Sequence, residues 1–205
     1  MPRAKVKRKS TAIDMTAMCD VAFLLLTFFI LSAKPKTQDP ISATPPAAVS
    51  DLKLPETDFA TIIVGQGKAF FSIEGQDLRI ETLKSMGEKY GVAFTPEEIT
   101  AFSNTESFGV PIAKLKGLLA VPVADRSNVR QDGVPVDTTD NNELYHWVRE
   151  TRKADKALHN AILTVAIKGD SKEEYPKIAD IIKTLQKQEV NKFSLITSLR
   201  KEEKK

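Results

Sequence analysis

Only one cysteine, Cys19, occurs in the chain, so no internal disulfide framework can form. Its apolar neighbours give it the character of a small residue in a packed helix rather than of a metal ligand or reactive thiol. Histidine is almost as scarce. His146 and His159 have no second ligand at metal-binding spacing, and neither stands in a nucleophile motif with serine or cysteine, so both read as surface or partly packed side chains. Aromatic residues make up 7% of the chain and are not interleaved with a basic patch; with a net charge of only +3 this excludes a base-stacking nucleic-acid surface. Gly65-Gln66-Gly67 lacks the third glycine and the following helix of a phosphate-binding loop. No metal, cofactor or enzyme site follows from these residues, and the chain is expected not to be an enzyme.

What is present is concentrated near the N-terminus. Residues 1–11 form a basic tail carrying Arg3, Lys5, Lys7, Arg8 and Lys9 without an acid. From Ala12 to Ala33 only Asp14 and Asp20 are charged, and Val21 to Leu31 is a continuous apolar run. At ~1.5 Å per residue a helix over 12–33 is about 33 Å long, enough to cross a hydrocarbon core of ~30 Å. The charge excess before the span, set against Lys34 and Lys36 after it, places the N-terminus in the cytoplasm and the rest of the chain on the far side. A secretory signal peptide is the rival reading, but a cut after Ala33 would put Leu31 where a small residue is needed.

A carboxylate inside a span costs about 2.5–3.5 kcal/mol on insertion scales, so an acid at that depth is placed for a use. Asp20 is that acid. A group reached by water first from one side and then from the other can take up and release a proton, and a passive pairing contact with a partner helix is the other role open to it. At ~100° per residue Thr16 and Thr27 fall on the face of Asp20, with Ile13 and Leu31 on the same stripe, and supply a supporting polar face. Asp14 sits at the start of the span, where Ser10 or Thr11 can cap, and reads as interfacial.

Residues 34–55 hold Pro35, Pro40, Pro45, Pro46 and Pro55 among small residues, the composition of a flexible linker. The remaining residues, 56–200, alternate strand and helix signals and are followed by a charged tail at 201–205. Phe59 to Val64 and Ala69 to Ile73 predict a hairpin about Gly65-Gln66-Gly67. Leu78 to Tyr90 predicts a helix, and Thr95-Pro96-Glu97-Glu98 starts another with Thr95 as its cap. Val121 to Asn142 reads as a long surface loop within an insertion around 86–142. Asn142 to Leu158 predicts a charged helix, Ile162 to Ile167 a strand, Tyr175 to Gln188 an amphipathic helix and Lys192 to Thr197 a final strand. Strand, helix and strand in that order predict a βαβ-like unit in a small mixed sheet with helices packed on it, an α+β domain.

The stretch Ile13-Asp14-Met15-Thr16-Ala17-Met18-Cys19-Asp20-Val21-Ala22-Phe23-Leu24-Leu25-Leu26 resembles the N-terminal motif of the ExbD/TolR family of biopolymer-transport proteins. In that motif an Asn, a Thr-Pro pair and the membrane Asp precede an apolar run. Thr16 and Asp20 match it, while Asp14 replaces the Asn and Ala17 the Pro. Ile162 to Asp170, Tyr175-Pro176 and Val190 to Thr197 resemble the family's periplasmic domain in order and spacing. The resemblance implies a single-pass inner-membrane protein with a cytoplasmic N-terminus and a C-terminal domain in the periplasm. It implies Asp20 as the proton-carrying residue, an ExbB/TolQ-like multi-span channel subunit and a TonB-like force-transmitting protein as partners, and a homodimer. An ExbD-like role in driving TonB-dependent transport is expected. A TolR-like role in envelope maintenance, or an anchored periplasmic binding module without proton coupling, are the alternatives.

Overall fold

The computed structural model describes residues 15–33, 47–48, 58–137, 142–170, 175–190, 193–196 and 198–199. The basic tail 1–11, Asp14, most of the linker 34–55 and the tail 201–205 lie outside the described residues. The chain divides into two compact units, Met1–Thr37 and Gln38–Lys205. Among its described residues the first contains one helix, α1 (Met15–Ser32).

The second unit is α+β. Its main sheet has the order β4 (Ser107–Phe108), β3 (Lys68–Ile73), β2 (Phe59–Gly65), β5 (Thr164–Gly169) and β6 (Phe193–Leu195), and β1 (Ala47–Ala48) pairs in parallel with β7 (Ser198–Leu199) as a separate two-stranded ladder. Strands β2 (Phe59–Gly65) and β3 (Lys68–Ile73) form the expected hairpin. Gln66 and Gly67 both have positive φ, 54° and 71°, which a two-residue loop needs if its twist is to match that of the strands. β4 (Ser107–Phe108) pairs antiparallel with β3. On the other side β5 (Thr164–Gly169) runs parallel to β2, and β6 (Phe193–Leu195) runs parallel to β5. With α6 (Tyr175–Gln186) between β5 and β6 in the chain, the expected βαβ unit is present and the sheet is mixed.

Two boundaries differ from expectation. The strand foreseen at Ile162 starts two residues later, because Asn160 at φ 53° ends the preceding turn and the Thr164 amide donates to the Asp58 carbonyl at 2.9 Å, fixing the parallel register. Ile162 is left 88% exposed. Helix α6 stops at Gln186, where Glu189 takes a left-handed conformation (φ 58°) and the Val190 and Glu189 amides donate back to Leu185 and Gln186, a Schellman cap. Of the final strand, Lys192 and Thr197 lie outside the described residues.

Helix α2 (Gln76–Tyr90) ends in the same kind of cap at Gly91, and α3 (Pro96–Ser103) opens on the Thr95–Glu98 capping box that its sequence foreshadows. Beyond them the segment expected as a surface loop is more structured. It is preceded by α4 (Ile112–Leu119) and opens with a 3₁₀ turn at Val123–Asn128, and Arg126, Gln131 and Val134 within it are buried. Arg126 donates to the carbonyls of Ala101, Leu119 and Val121 and to the Thr105 hydroxyl, satisfying the ends of two helices at once. Helix α5 (Glu143–Leu158) adds Glu143, whose Oε1 accepts from the Ile112 amide at 2.6 Å and from Trp147 Nε1 at 3.2 Å. A carboxylate distant in sequence thereby caps α4, and burial pushes its pKa up.

The core lies between one sheet face, with Ile62, Phe71 and Val165, and helices α2, α5 and α6. At its centre Trp147 stacks on Phe102 and meets Phe108 edge-on at 4.7 Å. Gly109 passes over the Phe70 ring so closely that an added Cβ would lie 2.2 Å from it. Gly109→Ala should therefore cost about 1–3 kcal/mol through overpacking. Denaturant unfolding of the detergent-solubilised chain checks this against Gly117→Ala, whose added methyl meets nothing within 4 Å and should be neutral or mildly stabilising.

Candidate functional site

Helix α1 is apolar on every side, with no buried residue, so its leucines, phenylalanines, methionines and Ile30 are presented outward. A helix hydrophobic all round belongs in a large core or in lipid, and no described residue of its own unit covers it. Its 18 residues span about 27 Å, and it is long and apolar enough to cross a membrane. Strong apolar helix formers such as Leu24, Leu25 and Leu26 hold it, and Phe28 meets Phe29 edge-on at 5.9 Å.

Asp20 is its only charged side chain, exposed and about 7.5 Å along the axis from Met15. Thr16 lies one turn before it on nearly the same bearing, about 6 Å along the axis. Thr27 lies two turns after it, about 10.5 Å away, and its hydroxyl donates to the Leu24 carbonyl at 2.9 Å. The helix thus brings Thr16 within a turn of Asp20. It leaves Thr27 on the same stripe but bonded to its own backbone, so Thr27 makes the stripe polar without contacting the acid. Cys19 is exposed on this helix.

The second unit contains a cluster that local spacing did not reveal. His159 follows the last turn of α5, and its Nδ1 lies 2.7 Å from Asp58 Oδ1 and 3.0 Å from Asp155 Oδ1. Its Nε2 lies 3.0 Å from Asp77 Oδ2. Asp58 stands immediately before β2, Asp77 in the first turn of α2 and Asp155 one turn back in α5. His159 is partly packed, as expected, and its acidic neighbours come mostly from elsewhere in the chain, where sequence spacing does not report them. Only the Asp155–His159 spacing of four residues in one helix was visible beforehand. His146 is buried, edge-on to Tyr90 at 5.9 Å, and desolvation holds its pKa down.

With this geometry the chain is a helix fit for a bilayer joined to a small α+β unit, the make-up of a membrane-anchored subunit. The family described as biopolymer transport protein ExbD/TolR matches residues 6–200, and the chain belongs to it. The match runs through the middle segment as well as the two ends. The family's role is energy transduction for biopolymer transport, in membrane complexes with partner proteins. No curated protein and no solved structure is similar enough to count as a match.

The hydrogen bonds to Asp77 and Asp155 raise the His159 pKa from 6.5 to about 9, while the bond from His159 pulls Asp77 below the usual carboxylate range. A raised histidine pKa contributes stability that is complete below ~6.5 and is lost as pH rises through about 9. Asp77 works in the opposite direction, its contribution disappearing as pH falls through the acid range. Thermal melts in metal-free buffer should accordingly show stability declining between pH ~6.5 and 9, and His159→Gln should flatten that decline. An identical slope in the variant would show that the imidazolium is not its source.

Proposed function

We propose that this chain is an ExbD-like subunit of an inner-membrane complex that uses the proton-motive force to power TonB-dependent transport across the outer membrane. The observation that carries this reading is Asp20, one acid in a helix otherwise fit for lipid, on a stripe with Thr16 and Thr27. In the proposed mechanism Asp20 takes a proton from one side of the membrane and delivers it to the other, and its change of charge alters how α1 sits against its partner. One helix cannot enclose a water path, because every backbone group in lipid has to be satisfied internally and an aqueous route needs walls. A multi-span ExbB/TolQ-like subunit would supply those walls, and α1 would supply the titrating group.

The N-terminus faces the cytoplasm in this reading, since the basic residues of the tail precede the span. The α+β unit then lies in the periplasm, as a homodimer, where it meets a TonB-like protein that transmits force. One elementary charge moved through 100 mV is worth ~2.3 kcal/mol, so several protons are needed for each mechanical event. The energy comes from the gradient, and the chain performs no enzymatic step of its own. In the α+β unit the buried charged groups Arg79, Arg126 and Glu143 each satisfy backbone groups of the fold.

Asp20→Asn keeps the shape of the side chain and removes its titration. It should abolish proton-driven uptake while leaving the chain made, inserted and recovered with its multi-span partner in mild detergent. Transport at the wild-type rate in the Asn variant would end this proposal in favour of a binding module without proton coupling. If uptake through the outer membrane survives deletion of the chain but the envelope leaks, the TolR-like role replaces the ExbD-like one.

A further inference from the structure

The junction of α5, α2 and β2 holds more negative charge than its one histidine can match. His159 Nε2 lies 3.0 Å from Asp77 Oδ2, a contact that makes Nε2 the donor and turns Nδ1 toward Asp58 Oδ1 (2.7 Å) and Asp155 Oδ1 (3.0 Å). One ring N–H cannot serve two carboxylates fully. The candidate ligand atoms of Asp58, Asp155 and His159 all lie within 4.8 Å of one another. Separate from those contacts, the Asp155 side chain is 0% exposed and its second oxygen, Oδ2, is buried without a hydrogen-bond partner among the described residues. A buried carboxylate with one oxygen facing no donor has its charge poorly compensated, and a cation held at the cluster would offset that charge.

We infer that Asp58, Asp155 and His159 form a binding site for a divalent transition-metal ion of the zinc class. In this site His159 Nδ1 and one oxygen from each of Asp58 and Asp155 are the ligands, and the position facing solvent is left to water. The donor set decides the class: an imidazole with two carboxylates suits zinc and its first-row neighbours, whereas magnesium and calcium favour oxygen throughout. Asp77 takes the outer role, accepting from Nε2 and so fixing the tautomer that leaves Nδ1 free to ligate. The ion would join the residue at which the domain's first long strand begins to the end of α5. Its chemical task is structural, to pin the start of β2 against the helical layer.

Purified full-length chain in mild detergent, stripped with EDTA, is titrated with zinc chloride by calorimetry and melted with and without zinc. One zinc per chain and a rise in melting temperature are expected. Asp155→Asn and His159→Gln should each weaken binding by at least tenfold, and Asp77→Asn by about 10–100-fold, while His146→Gln leaves it unchanged. As a readout that does not depend on the fold of a variant at the buried Asp155, zinc-edge X-ray absorption is measured on the wild-type chain. An oxygen and nitrogen shell with an imidazole signature supports the site. A sulfur shell near ~2.3 Å would assign the metal to Cys19 and overturn the proposal. So would zinc binding no tighter in the wild type than in folded His159→Gln, which would leave the cluster as a proton-only ion pair.

Discussion

Strand β2 is hydrogen-bonded along both edges, antiparallel to β3 and parallel to β5, and its residues 60–65 are buried on both faces. A strand in that position has no freedom of register, since a slip of one residue would exchange Ile62 and Val64 for Thr61 and Ile63 across the sheet. Its neighbours inherit that constraint. The hairpin sets β3, the Asp58–Thr164 bond sets β5, and α2 and α5 pack over the side chains that β2 directs to their side. Asp58, the residue just before β2, is delivered to His159 by the same fixed register.

The segment between α3 and α5 builds onto the domain's apolar core without making a second one. Phe108 and Leu115 join Phe102 of α3 in the cluster around Trp147, so these elements share one apolar layer. Short helices have many unsatisfied ends for their length, and buried polar side chains answer that need. Arg126 closes the ends of α3 and α4, Glu143 opens α4, and Gln131 accepts from the Gly109 amide at 2.6 Å while donating to the Arg126 carbonyl. These side chains look like ordinary surface residues when read along the chain. Their role exists only once three elements have met.

That difference explains what was legible in advance. The hairpin, the Thr95 capping box, the amphipathic α6 and the membrane-length α1 are each written in residues a few positions apart, and period or turn chemistry reports them directly. The Thr16, Asp20 and Thr27 stripe is legible for the same reason, since a helix converts spacing into direction. α4 escaped notice because Ile112–Leu119 is only two turns long, and the turn chemistry around it, with prolines at 111 and 122, masks the pattern. The His159 cluster was out of reach because Asp77 is 82 residues away and Asp58 further still. Contacts at that separation depend on sheet register, which no local pattern specifies.

The exposed thiol of Cys19 stands beside Asp20 in the chain and is the only sulfhydryl that a labelling reagent could find. Its bearing differs from that of the acid by about 100°, so a small spectroscopic reporter attached there would look sideways from the Thr16, Asp20 and Thr27 stripe and leave that stripe uncovered. The chain thus has a built-in attachment point from which rotation of the helix and wetting of its surroundings can be followed.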